Sequence, residues 1–303
     1  MAEKLYCITT FFNPANFKSL RENYYRFRSS LEKNSNIDLL TIELSFNGEF
    51  QLEGPYIERL NSHSVMWQKE RLINYGISRL PANAKYVAWL DCDILFLQPD
   101  WAETAIEKLK NNDIIQMFKK VYFAPKNEYS FNRKYQSQQG VIWQYKIHKN
   151  WLKRRILKEL PFSSPGFGWS ARLDYLRKID GIYDKNIIGS GDTCLVDILL
   201  DSWAIHGYEK KLTSKMRENI LVYAQKVFDN RPRLDYNPID ILHLYHGSTP
   251  NRQYMERHEI VKKYDFDPTI DIRLENNVFE WNSDKIGMHK EIEEYFYGRK
   301  EDD

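Results

Sequence analysis

Long apolar runs are missing from this chain: no stretch approaches the 18 residues that a bilayer-spanning helix needs. Its opening, MAEKLYCITTFFNPANF, lacks the apolar region behind a basic start that marks a secretory leader. Cysteine is scarce. Cys7, Cys92 and Cys194 are odd in number, far apart and without CxxC spacing, which excludes a disulfide framework and a thiolate zinc site. A reducing compartment, hence a cytoplasmic location, is the expectation. Charge of one sign is also lacking, since 44 basic and 42 acidic residues leave a net +2. No overall field therefore argues for nucleic acid or an anionic surface, and any basic patch must be local. Neither an internal repeat nor a low-complexity segment interrupts the 303 residues, which suit a single α/β domain over 1–303. Aromatic residues, at 15%, are plentiful enough to make stacking on sugars or bases conceivable.

The hydrophobic patterning opens as β-α-β. LYCITTFF (5–12) is β-rich and stops at Asn13-Pro14, FKSLRENYYRFRSSLEK has helical spacing, and IDLLTIELSF is strand-like. SVMWQKERLINYGISRLP repeats the helical pattern up to Pro81, and KYVAWL follows without polar alternation, as a strand covered on both faces does. DWAETAIEKLKNN reads as a helix with Asp100 at its N-cap, and DIIQMF as the next strand. From about 119 to 160 the pattern turns irregular, an expected excursion from the sheet that carries the basic segment KIHKNWLKRRILKEL. ARLDYLRKI, DTCLVDILLDSW and SKMRENILVYAQKVF supply further helices, and IDILHLYH a late strand. From Gly247 to about 303 the chain is polar, as a mobile tail or lid would be.

The segment YVAWLDCDILF (86–96) places two aspartates inside an apolar run. Buried and unpaired they would be too costly, so the run calls for a partner. In a regular strand Asp91 and Asp93 face one side and Cys92 the other, and two carboxylates on one side make a cation site. If the strand ends near Leu90, they stand at the carboxyl end of a parallel strand, where open α/β sheets bind ligands. A bare D-x-D arises by chance about once in a chain of ordinary acidic content. The preceding apolar strand is what gives this one weight.

Other positions carry matching chemistry. GSGDTCL sets Asp192 behind a glycine-rich turn at a helix start, where it serves either as an N-cap or as a general base for a hydroxyl nucleophile. In ILHLYHG, His243 and His246 fall on opposite sides of a regular strand, so one of them should face the site. His246 stands at the strand's end, before Gly247. A mixed carboxylate and imidazole set suits Mn²⁺, with Mg²⁺ the alternative. NRQYMER offers Arg252 and Arg257 around Tyr254, either as forked donors to a diphosphate or as a solvated helix face. In SSPGFGWSAR, Gly166, Gly168 and Trp169 read as a loop where backbone closely approaches something, or as a core Trp at a tight turn.

Taken in order, WQKERLIN, the D-x-D, PGFGWSAR, GSGD, HLYHG and NRQYMER resemble GT-A glycosyltransferases, in particular a bacterial and phage group of them, over roughly residues 4–300. The resemblance implies a GT-A fold, a Rossmann-like nucleotide-binding mixed sheet with flanking helices. It implies a divalent ion held by Asp93, Asp91 acting through ribose or metal, and His246 as further ligand. It also implies a nucleotide-diphosphate sugar donor, UDP-sugar favoured, with Gln68 and Arg71 near the nucleotide and Trp169 beside the donor sugar. Asp192 becomes the base. With a separate base and no evident protein nucleophile, inversion at the anomeric carbon is expected. The acceptor would be a glycan or a hydroxymethylated DNA base, the latter kept open by Lys149, Lys153, Arg154 and Arg155. A metal-dependent nucleotidyltransferase or phosphohydrolase, and a noncatalytic carbohydrate-binding protein, are the rival classes.

Overall fold

Leu5–Phe12 (β1), rich in β-branched and aromatic residues, pairs in parallel with Ile37–Ser45 (β2) on one side and with Tyr86–Leu90 (β4) on the other. Between them run Lys18–Leu31 (α1), Ile57–Asn61 (β3) and Lys69–Arg79 (α2). The coordinates are a computed structural model that describes residues 3–32, 34–203 and 208–303. After β4 come Ile94–Phe96 (β5), Trp101–Leu109 (α3), Ile114–Gln116 (β6), Lys120–Phe123 (β7), Ser137–Gly140 (β8), Val141–Ile147 (α4) and Trp151–Ile156 (α5). Ser163–Ser164 (β9), Gly168–Arg172 (β10), Leu173–Lys178 (α6), Gly191–Leu200 (α7), Ser214–Asp229 (α8), Leu234–Tyr236 (β11) and Asp240–His243 (β12) follow. Arg257–Lys263 (α9), Ile272–Glu275 (β13), Val278–Trp281 (β14) and Ile286–Gly298 (α10) complete the order.

The main sheet has the order β11-β6-β10-β4-β1-β2-β3, and β10 runs antiparallel to both its neighbours. This is the mixed sheet with flanking helices expected from the sequence. Every residue of β4 is buried, because alternate side chains enter two different cores. Val87 and Trp89 pack with Leu72 and Ile73 of α2, Leu176 of α6 and Cys194 of α7. Tyr86, Ala88 and Leu90 pack with Phe27 of α1 and Trp101 and Ala105 of α3. The absence of polar alternation in YVAWL thus records a helix layer on each face.

Three expectations need correction. GFGWSAR is a loop only at Gly166 and Phe167: Gly168–Arg172 is a central antiparallel strand, and Trp169 takes the core alternative, wholly buried with its indole Nε1 donating to Pro165 O at 2.9 Å. The segment 119–160 leaves the main sheet, as expected, but its long irregular stretch is confined to 124–136. Its β7 and β8 join a second sheet, β5-β12-β7-β8-β9, which runs beside the end of β4. Nor is the chain after Gly247 a loose tail. Asn276 and Asn277, both at positive φ, form the two-residue turn of the β13–β14 hairpin, the backbone that such turns demand. That hairpin, α9 and α10 close a core of Val261, Phe266, Phe279, Met288, Ile292 and Phe296 against Met66 and Ile187. Asp100 does sit at the N-cap of α3, but its side chain makes no cap bond.

Candidate functional site

Strand β4 stops at Leu90, and Asp91-Cys92-Asp93 form a turn at its carboxyl end. Strand alternation therefore does not govern the two aspartates, and their carboxylates take different partners. Backbone bonds fix the turn, with Asp91 N donating to Phe167 O at 2.9 Å and Leu244 N donating to Asp93 O at 2.8 Å.

Asp93 faces the end of β12. Its Oδ2 lies 3.0 Å from His246 Nε2 and 3.8 Å from His243 Nε2, and the two imidazole nitrogens are 3.1 Å apart. All three side chains are buried, and one ligand atom from each falls within 4.8 Å of the others. The expectation that only one histidine faces the site fails because β12 ends at His243, which frees His246 to fold back toward its neighbour. Burial holds the His243 pKa down to about 3, so its imidazole is neutral and carries a lone pair. Burial opposes charge on Asp93 as well, yet His243, His246 and Arg252 reverse the balance and hold its carboxyl well below the usual range.

His246 is held from the opposite side. Glu301 Oε2 accepts from its Nδ1 at 2.6 Å, and Arg252 Nη2 donates to its Nε2 at 2.9 Å. Burial and Arg252 disfavour a proton on His246, but Glu301 and Asp93 outweigh them and its pKa is raised. Burial would likewise raise Glu301, but His246 and Arg299 bring it down to about 2. A carboxylate can only accept, so Nδ1 of His246 carries a proton toward Glu301, and Nε2 is the nitrogen directed at Asp93 and His243.

A divalent ion fits these residues. Asp93 Oδ1 is buried without a hydrogen-bond partner, and one oxygen and two imidazole nitrogens converge, a donor set suited to Mn²⁺ more than Mg²⁺. Arg252 brings its guanidinium to the same nitrogen that a cation would use.

Asp91 lies outside that group. Its Oδ1 is 2.6 Å from Lys69 Nζ, which is also 3.2 Å from Asp192 Oδ2. Asp192 occupies the first turn of α7 and bonds Lys69 rather than acting as N-cap, a position held by Ser190 at φ 71°. Lys69 is 12% exposed while Asp91 and Asp192 are 25% and 26% exposed, so the lysine is the inner member and both carboxylates reach solvent. Burial lowers the Lys69 pKa, but Asp192, Asp91 and Glu70 raise it well above its ordinary value. Burial lifts Asp91 to about 6 against the pull of Lys69, with Asp192 and Asp93 adding to the rise. Behind them Glu70, buried and with Oε2 lacking a partner, is pushed up to about 8 by burial. Gly191 leaves room for this side chain, since a Cβ there would come within 2.0 Å of Glu70 Oε1 and force the carboxyl to shift.

The remaining expected residues disperse. Gln68 precedes the first turn of α2 at φ −130°, so helical spacing does not align it with Arg71. Its amide exchanges bonds with the Phe279 backbone at 2.9 and 2.7 Å. Arg71 pairs with Asp184 at 3.1 Å in a cleft of about 640 Å³ also lined by Asn74, Arg177, Asp180 and Tyr223, which contains none of the residues around Asp93. Trp169 is core. Arg257 is buried and props the turn before α7, donating to Ser190 Oγ at 3.0 Å and Tyr295 Oη at 2.8 Å. Tyr254 is partly exposed and accepts from Arg252 Nη1 at 3.0 Å. The resemblance puts Lys69 with Gln68, Arg71 and Asn74 near the nucleotide rather than between two carboxylates, nothing in the sequence singles out Glu70 or Glu301, and of the two histidines it favours His246. The H-x-x-H spacing was the available signal for His243, whereas nothing in GRKEDD distinguishes Glu301.

No family model matches the chain, and no curated protein matches it. Solved structures do. A mutant of Drosophila β1,4-galactosyltransferase 7 in complex with manganese, UDP-Gal and xylobiose is 12% identical, with 78% of this chain and 65% of that chain covered and a TM-score of 0.40. Mycobacterium tuberculosis glucosyl-3-phosphoglycerate synthase with Mn²⁺, UDP and phosphoglyceric acid is 8% identical over 86% of this chain and 77% of that one, at 0.43. The 4-diphosphocytidyl-2C-methyl-D-erythritol synthase of Anaerococcus prevotii is 8% identical over 78% and 87%, at 0.35. At these identities and scores the activity has to be argued from the site's own residues.

Proposed function

We propose that the protein is a metal-dependent glycosyltransferase of the GT-A type, which moves a sugar from a nucleotide-diphosphate donor, UDP-sugar favoured, to an acceptor hydroxyl with inversion. The observation that carries this reading is the convergence of Asp93, His243 and His246 at the carboxyl end of a buried strand, with a second carboxylate pair on Lys69 beside it. Asp93 Oδ2, His243 Nε2 and His246 Nε2 would hold the ion, Mn²⁺ or Mg²⁺. When bound, it supplies Lewis-acid charge that offsets the negative charge of the leaving diphosphate.

The chain's own groups do the rest. Arg252, which already donates to His246, is placed to turn its guanidinium toward a diphosphate as that charge grows. Asp91, partly exposed at the rim, is placed to accept from a ribose hydroxyl. Asp192 takes the proton from the acceptor hydroxyl as the new glycosidic bond forms, because a sugar hydroxyl is a poor nucleophile at neutral pH. Lys69 keeps the aspartate oriented. With Asp192 as the base and Asp91 turned to the ribose, no protein nucleophile is left in these contacts, which supports inversion.

Titration of UDP, UMP and a panel of UDP- and GDP-sugars, with and without Mn²⁺, tests the reading. Metal-dependent binding of a nucleotide diphosphate, with sugar transfer to an acceptor, is the expected result. Diphosphate binding indifferent to chelator would remove the metal from the mechanism. Turnover of nucleoside triphosphates in preference to nucleotide sugars would assign the site to nucleotidyl transfer instead.

A further inference from the structure

Residues 145–162 hold six basic side chains and one acidic one in a chain whose total is +2, so the rest of the protein is net negative. The same segment exposes Tyr145, Ile147, Leu152, Ile156, Leu157 and Phe162, each 39–56% accessible. We propose that this surface, built on α4, α5 and the chain leading to β9, docks the protein onto an anionic phospholipid bilayer.

The platform is rigid from beneath. Trp151 of α5 is buried, donates from Nε1 to Gln144 Oε1 at 3.0 Å and packs edge-on against Tyr145. With Trp151 turned inward, Leu152 and Ile156 lie one turn apart on the outer face of the short helix. Arg155 lies 5.9 Å from the Phe162 ring, which links α5 to the strand beyond it. Lys149, Lys153 and Lys158 are exposed and make no ion pair among the described residues, whereas Arg154 is neutralised by Glu159 at 3.2 Å.

Bare lysines interleaved with bare aliphatic side chains fit the boundary between lipid headgroups and acyl chains. The cations remain with the phosphates while the apolar groups enter the hydrocarbon. A nucleic acid would use the cations but leave Leu152, Ile156 and Leu157 idle. A second copy of this chain, docking through the same patch, would bring two strongly positive surfaces face to face. No helix among the described residues is long and apolar enough to cross a membrane, so the contact is with its surface. The patch also borders the candidate site. From Phe162 the chain passes through β9 to Gly166, where an added Cβ would meet Asp192 Oδ2 at 3.1 Å. An acceptor carried in the bilayer would thus arrive beside that carboxylate, although the docking surface stands whether or not Asp192 is the base.

Vesicle co-sedimentation of the whole protein tests this, using phosphatidylcholine alone and phosphatidylcholine doped with phosphatidylglycerol at low salt. Wild type should partition onto the anionic vesicles only. Lys149→Glu with Lys153→Glu should weaken partitioning at least about tenfold, and Leu152→Ser with Ile156→Ser should weaken it comparably while leaving the melting temperature unchanged. Absence of binding by wild type, or equal binding by wild type and both double variants, overturns the proposal. So does duplex DNA binding that the lysine variant loses and the serine variant keeps without any vesicle binding, or self-association in sedimentation that the serine variant alone abolishes.

Discussion

Glu301 and His246 meet at 2.6 Å although they are 55 residues apart, and both are buried. The contact depends on how the 299–303 segment docks. Asp302 accepts from the Lys18 and Ser19 backbone at 3.0 and 2.7 Å, Ser19 Oγ donates to Glu301 O at 2.8 Å, and Tyr245 Oη donates to Asp303 O at 2.9 Å. Gly247, at φ 82°, lets the chain pass so close that a Cβ would lie 2.8 Å from Glu301 Cα. Glu301 is therefore a positioning residue for the imidazole that faces Asp93.

Glu301→Ala should weaken Mn²⁺ binding by about 10- to 100-fold, the usual cost of losing the carboxylate behind a metal-binding histidine. Glu301→Gln, which can still accept from Nδ1, should lose less. Direct Mn²⁺ titration reads this without any turnover. Wild-type affinity in both variants would mean that His246 is oriented without Glu301.

The geometry ranks the aspartates and histidines. Asp93→Ala, His243→Ala and His246→Ala should each abolish metal-dependent binding of a nucleotide diphosphate, whereas Asp91→Asn should leave metal affinity within a few fold. Asp91 is held by Lys69 rather than by the imidazoles. Loss of Mn²⁺ binding in Asp91→Asn equal to that in Asp93→Ala would place both carboxylates on the ion.

Asp192→Asn should leave donor binding intact while transfer falls by roughly 10²- to 10⁴-fold, the range associated with loss of a general base. The amide keeps the shape but cannot take the proton. Lys69→Met separates positioning from chemistry, because it removes the cation shared by Asp91 and Asp192 and leaves both carboxylates in place. Its transfer should also fall, with a shifted pH profile that Asp192→Asn would not show. Simultaneous loss of folding and donor binding in Asp192→Asn would make the residue a structural support of α7.

What could be read in the sequence follows from what is local. The unbroken apolar run of YVAWL announces a strand with cover on both faces, and Asp91 and Asp93 at its end mark the rim where charge is tolerable. The limits of that reading are also local. Strand alternation holds only as far as Leu90 and His243; carried three residues further in each case, to Asp93 and to His246, it pairs Asp91 with Asp93 and parts His243 from His246. Trp169 reads as displayed because it stands between Gly168 and Ser170, and Gln68 because its own side chain is polar. Their burial comes from β6, β14 and the hairpin core, which are distant in sequence. Glu301 acts through a partner 55 residues away, and Lys69 through Asp91 and, 123 residues on, Asp192, and no spacing rule reaches so far.

Glu70 supplies a test of the electrostatics that does not depend on metal or substrate. Its pKa is raised from the carboxylate range to about 8, because burial outweighs the attraction of Lys69, and Asp192 and Asp91 add repulsion. Below the unfolded value both states are protonated and the group is silent. Between that value and about pH 8 the unfolded chain has lost its proton while the folded chain keeps it, so stability falls as pH rises, and above about pH 8 the loss is complete. Glu70→Gln retains the neutral shape and cannot titrate. The variant should match wild type near pH 4 and melt higher near pH 8, by about 2 °C or more for each kcal/mol of relief. Thermal melts of the metal-free protein across that range read the difference directly. A variant that melts lower than wild type at pH 8 would show instead that Glu70 is ionised and paired with Lys69. In that case the lysine would be shared by three carboxylates, and its hold on Asp192 would be correspondingly looser.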